Sequence, residues 1–185
     1  MIDTMKYLEL AVSKDATRYN MTSIFRDHDC MVATDGYRLH RVSGLPRIDK
    51  PHLLDGSDHQ FPNYDYIMPK ETQPLIRIKW DKAQIKQLKA YVAFTGKATV
   101  SRLQYADNHL VIQCDNKLLG AAIRFPVERH YNNFADVGIK AAQWADAIIT
   151  ETIMTLSRGI KDHDPMVLEA PHLNTLALLM PCKLD

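Results

Sequence analysis

The stretch Cys30-Met-Val-Ala-Thr-Asp-Gly-Tyr-Arg-Leu-His-Arg-Val42 sets two alternating apolar runs on either side of Asp35-Gly36. Asp-Gly between alternating hydrophobics is the strongest short-range hairpin signal, because both residues tolerate the positive φ of a tight turn. The reading is a pair of antiparallel strands, Met31 to Thr34 and Tyr37 to Val42.

Before the hairpin, Thr4 to Ser13 carries Met5, Leu8 and then Ala11 or Val12 at three- and four-residue spacing behind Asp3 or Thr4 as N-cap. This predicts a short amphipathic helix. Arg18 to Phe25 reads as a strand, with Tyr19, Met21 and Ser23 on one side and Asn20, Thr22 and Ile24 on the other. After the hairpin, Gly44 to Gln60 holds Pro46, Pro51, Gly56 and several Asp and His residues, and reads as a connector. The pattern restarts at Pro74. Ile76 to Trp80 is a strand, Asp81 caps a helix reaching Phe94, and Val100 to Tyr105, His109 to Cys114 and Leu118 to Phe125 are strands. A third copy comes next: strand Val137 to Ile139, helix Ala141 to Glu151, and strands Ile153 to Ser157, Met166 to Leu168 and Thr175 to Met180. Each unit is a strand, a helix and three strands, the opening strand being vestigial in the first; they share pattern rather than sequence.

The chain has 185 residues, enough to bury a core without metal or disulfide staples. With 46% hydrophobic and 24% charged residues the composition is that of a folded protein, not a disordered one. A net charge of +1 leaves nucleic-acid binding to the distribution of the basic residues. Cys30, Cys114 and Cys182 are far apart, which fits reduced thiols rather than a disulfide framework or zinc site. No run has the length of a membrane helix, and a cytoplasmic location is the default expectation.

Three stretches carry a family resemblance. Ala33-Thr34-Asp35-Gly36-Tyr37-Arg38-Leu39 resembles the Ala-Thr-Asp-Gly-His-Arg-Leu signature of the bacterial DNA polymerase III sliding clamp (beta subunit) family. Phe61-Pro62-Asn63-Tyr64-Asp65-Tyr66-Ile67-Met68-Pro69-Lys70 resembles that family's Phe-Pro-Asp-Tyr segment ending in Leu-Pro-Lys, and Leu178 to Leu184 resembles its C-terminal Val-Val-Met-Pro-Met-Arg-Leu. The resemblance implies an α+β, DNA-clamp-like fold of three β-α-β-β-β modules, with helices lining the inner face and antiparallel sheets outside. Residues 1–73 would be a partial clamp domain, one module plus the connector 44–60, and 74–185 a complete domain of two modules. The chain would lack the family's first domain and about half of its middle one, since 44–60 is too short for a second module.

The resemblance also implies a peptide groove walled by Met21, Thr34, Gly36, Tyr37, Arg38 and Leu39, then Pro62, Tyr66 and Ile67, then Leu178, Leu179, Met180, Pro181, Cys182, Lys183 and Leu184. These apolar or small groups with basic ends suit a short linear motif with leucine or phenylalanine anchors; taken alone, such a tail is more often a final core strand. Tyr37 stands where the family has histidine, Cys182 where it has methionine and Lys183 where it has arginine, and lysine cannot supply arginine's bidentate fork.

On the middle helix Lys82, Lys86 and Lys89 form a positive stripe beside the apolar stripe of Ile85, Leu88 and Val92. A solvated face explains it equally well; lining a ring, the lysines would meet DNA phosphates without reading sequence. Tyr19 and Asn20 fall where the family places DNA-touching residues at the ring's edge. The implied function is a processivity factor that encircles double-stranded DNA and tethers a polymerase or similar partner, with no cofactor and no catalysis. A clamp loader is a further implied partner. Family rings hold twelve modules, so three per chain predicts a homotetrameric ring closed head to tail. The alternative is a non-encircling decoy for clamp-binding proteins. A metal nuclease built on Asp55, Asp58 and His59, or on His28 and Asp29, ranks last because both sets fall in turn-like segments.

Overall fold

The computed structural model describes residues 3–116, 119–132, 136–159 and 164–184. Asp3 accepts from the Lys6 N–H at 3.2 Å and caps α1 (Thr4–Glu9), whose Tyr7 and Leu8 are fully buried. The helix stops short of Ser13, whose N–H is drawn to the Met21 carbonyl at 2.9 Å. Arg18 to Phe25 is not a strand. Asp15 accepts from the N–H and hydroxyl of Thr17 (3.0 and 2.7 Å) and winds Ala16–Met21 into 3₁₀ turns. An Asx turn offers the backbone a local partner and here overrides the alternation.

Among the described residues, Phe25–Arg26 (β1) is the one strand before the hairpin of β2 (Met31–Thr34) and β3 (Arg38–Val42). Thr34 pairs with Leu39, so the turn spans Asp35 to Arg38 and is longer than a two-residue Asp-Gly turn. Gly36 takes a φ of 86°, while the Asp35 carboxylate accepts from the N–H groups of Tyr37 and Arg38 at 2.9 and 3.0 Å. The connector is not free coil: β4 (His52–Leu53) pairs with β1, and the buried Arg26 donates to the carbonyls of Asp27, Cys30 and Pro46.

Next come β5 (Thr72–Trp80), α2 (Lys82–Thr95), β6 (Val100–Ala106), β7 (His109–Cys114), β8 (Ala122–Pro126) and β9 (Arg129–His130). The chain ends with β10 (Val137–Lys140), α3 (Ala141–Ala147), β11 (Thr152–Gly159), β12 (Met166–Ala170) and β13 (Thr175–Leu179). An Asp81–Gln84 capping box starts α2. β5 begins before Pro74, which lies at a register shift of β11, where a missing N–H is tolerated. β8 begins at Ala122; Leu118, read as its start, lies outside the described residues. α3 ends at Ala147, not Glu151, as Ile148 leaves helical geometry and is buried.

Among the described residues the strands form a nine-stranded antiparallel sheet, β4-β1-β2-β3-β13-β12-β11-β5-β9, and a four-stranded one, β10-β6-β7-β8. Opening strands are exchanged: β5 joins β11 to β13, and β10 joins β6 to β8. The exchange locks the second and third modules together around Trp80, Leu88, Phe125 and Trp144, with α2 against α3. A separate cluster of Val32, Leu39, Phe61, Tyr64 and Leu178 lies where β3 meets β13.

Under α1, His40 stacks on Tyr7 with ring centroids 4.4 Å apart, and its Nδ1 lies 2.9 Å from the Tyr7 carbonyl, to which it donates; Nε2 is buried with no partner among the described residues. Burial pushes the imidazole down from 6.5 to about 4, against the raising effect of the carbonyl bond. The unfolded chain therefore binds this proton more readily than the folded one. The stability contribution is fully present above pH 6.5 and is lost as pH falls toward 4, by about 3 kcal/mol over the window. His40→Leu should flatten urea-unfolding free energy against pH across this range; an unchanged slope assigns it to other groups.

Candidate functional site

The first wall and the tail meet edge to edge. Leu178 pairs with Leu39 and Leu179 with Arg38, and the Met180 N–H donates to the Tyr37 carbonyl at 3.0 Å. Pairing then passes to the other sheet, where the Cys182 N–H donates to the Gly138 carbonyl at 2.7 Å. A Cβ at Gly138 would strike the Cys182 carbonyl and lie 3.0 Å from Leu184. Glycine on β10 thus allows the tail to cross it.

Not all the predicted groove residues are surface. Thr34, Leu39, Leu178 and Leu179 are buried, Thr34 bonding the Arg38 carbonyl at 2.6 Å, while Leu39 and Leu178 pack under Phe61 and Tyr64. They are the strand core that supports the site. Tyr37 is half-exposed; Met21 and Met180 are half-buried beside its turn, and Pro181, Cys182 and Leu184 are half-buried along the tail where it crosses Gly138, with Lys183 exposed.

Tyr37 has two cationic neighbours. The Arg18 guanidinium lies 5.1 Å from its ring centroid and the Lys140 ammonium 5.0 Å away, at cation–π range. Arg18 also donates to the Asp35 carbonyl at 2.6 Å. Arg38 is held by Asp35, Nε to Oδ2 at 3.0 Å, and by Asp146 of α3. Sequence reasoning included Tyr37 and Arg38 but missed Arg18, Lys140 and Asp146; no local pattern points to them.

The middle wall divides. Phe61 stacks on Phe25 at 4.9 Å, and the Tyr64 hydroxyl donates to Asp27 at 2.6 Å, anchoring the segment. The Tyr64 bond and the His28 N–H outweigh partial burial and hold the Asp27 carboxyl below the usual range. Tyr66 and Ile67 are exposed and line a cleft of about 630 Å³ with Met68, Lys70 and Asp164, apart from Tyr37 and the tail. Pro62 lines another cleft with Tyr19, Asn20 and His59, the Tyr19 and His59 rings being 4.8 Å apart. Tyr19 and Asn20 therefore sit beside the middle wall, not with the helix lysines.

Lys82, Lys86 and Lys89 share a shallow cleft with Ile85, Ile149, Thr150 and Glu151. Glu151 lies 3.9 Å from the Lys82 ammonium, an exposed pair of small worth; Lys86 and Lys89 have no ion pair among the described residues. Of the nuclease candidates, His28 bonds the Ile48 carbonyl through Nδ1 and Asp55 caps Ser57. Among the described residues no three His, Cys, Asp or Glu side chains converge as metal ligands, and no helix is long and apolar enough to cross a membrane.

Gly36 is the most constrained point of the wall. A Cβ there would lie 2.6 Å from Arg18 Nη1 and 3.9 Å from Met21 Sδ, at a φ of 86°. Gly36→Ala should cost about 1–2 kcal/mol by urea unfolding and release Arg18 from Tyr37. A variant as stable as the wild type would show that the turn relaxes freely.

No protein-family model and no curated protein matches the sequence. Solved structures do. The DNA polymerase III beta subunit of Borrelia burgdorferi superposes with a TM-score of 0.78 at 15% identity, over 98% of this chain and 60% of that one. A DNA polymerase sliding clamp of Pseudomonas aeruginosa gives 0.76 at 17%, over 98% and 63%. The C. crescentus beta sliding clamp gives 0.74 at 16%, over 98% and 64%. The chain thus spans less than two thirds of these relatives, and it has, at reduced length, the fold of the bacterial DNA polymerase sliding clamps.

Proposed function

We propose that the chain is a sliding-clamp-like processivity factor that encircles duplex DNA and tethers a polymerase or another DNA-processing protein by a short peptide motif. The observation that carries this reading is the clamp fold over 97–98% of the chain. The hairpin wall joined to the tail and the lysine row on α2 support it. Residues 1–73 act as a partial domain and 74–185 as a complete one, in a homotetrameric ring. The work is mechanical and cytoplasmic, without cofactor. A single peptide contact of this size binds at roughly micromolar strength, so the ring's value is effective concentration at the template.

The peptide is received at Tyr37, Met21, Met180, Pro181 and the Leu184 end, over the buried floor of Leu39 and Leu178. Arg18, Lys140 and Lys183 make its rim positive. A fluorescent peptide with leucine and phenylalanine anchors should bind the wild type, and Tyr37→Ala with Met180→Asp should weaken it about tenfold or more, the loss of about 1.4 kcal/mol or more. Equal affinity in the double variant would move the site elsewhere.

DNA is held without sequence readout. Lys82→Ala/Lys86→Ala/Lys89→Ala should lower duplex affinity and reduce the salt slope by roughly 2–3, about 0.9 per phosphate released. Retention should be greater on nicked circles than on linear duplex of equal length. Equal retention on both favours a second reading, a non-encircling decoy for clamp-binding proteins.

A further inference from the structure

The cations around Tyr37 differ in what already holds them. Arg38 is taken up by Asp35 and Asp146. Arg18 spends its guanidinium within the fold, on the Asp35 carbonyl at 2.6 Å, the Tyr37 hydroxyl at 3.4 Å and the Asp15 carboxylate at 3.8 Å. Lys140 is placed otherwise: its ammonium lies 5.0 Å from the Tyr37 ring centroid and has no hydrogen bond or ion pair among the described residues. Its N–H donors are left to solvent or to an incoming acceptor.

The backbone beneath Lys140 is fixed. The residue ends β10, pairing with Val100 of β6, and stands at the N-cap position of α3. Two residues back along β10, the Gly138 carbonyl accepts from the Cys182 N–H; two residues back along the tail, the Met180 N–H donates to the Tyr37 carbonyl. Strand, tail and hairpin turn are thus tied together at neighbouring points. The ammonium and the ring start from a common rigid base.

We infer that Lys140 sets the specificity of the proposed peptide groove, an inference that rests on that groove reading: it selects a peptide with an acidic side chain two residues from its apolar anchor. The spacing follows from strand geometry. In an extended peptide, alternate side chains point the same way about 6–7 Å apart, while adjacent ones point to opposite sides. An anchor seated against Tyr37 and Met180 therefore turns the side chain two residues away toward an ammonium 5.0 Å from the ring. A carboxylate is favoured there because, among the described residues, Lys140 is the cation at this ring that no carboxylate meets.

Three fluorescent peptides test this, alike in their leucine and phenylalanine anchors but carrying Asp, Asn or Lys two residues before the phenylalanine. By anisotropy the wild type should bind the Asp peptide about three- to fivefold more tightly than the Asn peptide, the gain an exposed charge pair allows, and the Lys peptide least. The gap should close with added salt. Lys140→Met should erase the difference between Asp and Asn, and Lys140→Glu should place the Lys peptide first. Equal binding of all three by the wild type, or a preference for Asp that survives Lys140→Met, overturns the inference while the groove stands. A fall in duplex affinity in Lys140→Met with peptide preference unchanged also overturns it and gives the ammonium to DNA phosphate. Should none of the three bind the wild type, the groove reading itself falls, and this selection with it.

Discussion

The pairing of β3 with β13 is the interaction on which the rest depends. It joins residues 38–42 to residues 175–179, and without it the sheet of the first module would end at an open edge. The cost of bringing such distant strands together is chain entropy, which grows only slowly with loop length. Apolar burial repays it: Leu39, Leu176 and Leu178 are sealed beneath Phe61 and Tyr64, each worth roughly 1.5–3 kcal/mol when fully buried. The segment Phe61 to Met68, which the resemblance set in the groove wall, is thus the lid of this seam. Its buried members hold the strands together, and only its other residues are free to face a partner.

Much of this was legible in advance because the physical signals were local. Asp81 as N-cap announced α2, and alternation announced β6 and β7. Where local signals competed, alternation misled: Tyr19, Met21 and Ser23 have strand period, yet Asp15 and Thr17 wind the backbone into 3₁₀ turns. β4 was invisible because two residues carry no period. At the candidate site the sequence matched residue types to a wall but could not say which were surface. Leu39 lies on a buried stretch of β3 and Leu178 on β13, which is buried on both faces, while the adjoining turn leaves Tyr37 in solvent, and Arg18 and Lys140 reach Tyr37 only through tertiary structure.

The charges around that tyrosine are not equivalent. Arg38, the basic residue of the hairpin motif, is bound on one side by Asp35 and on the other by Asp146, and is mostly buried. It stands as a strut between β3 and α3, so removing it would take the ion pair from Asp146 and cut the tie between hairpin and helix layer, while Asp35 would keep the N–H groups of Tyr37 and Arg38. Arg18 and Lys140 are differently placed: each faces the Tyr37 ring, and Lys140 has no ion pair among the described residues. Positive charge available to an incoming group therefore comes from the 3₁₀ turn and the start of α3, not from the motif that first drew attention to the site. An aromatic ring flanked by two cations offers an apolar anchor its edge and an acidic neighbour its rim. That combination explains why tyrosine can stand where a histidine was expected: its hydroxyl accepts from Arg18 at 3.4 Å while its ring meets both cations.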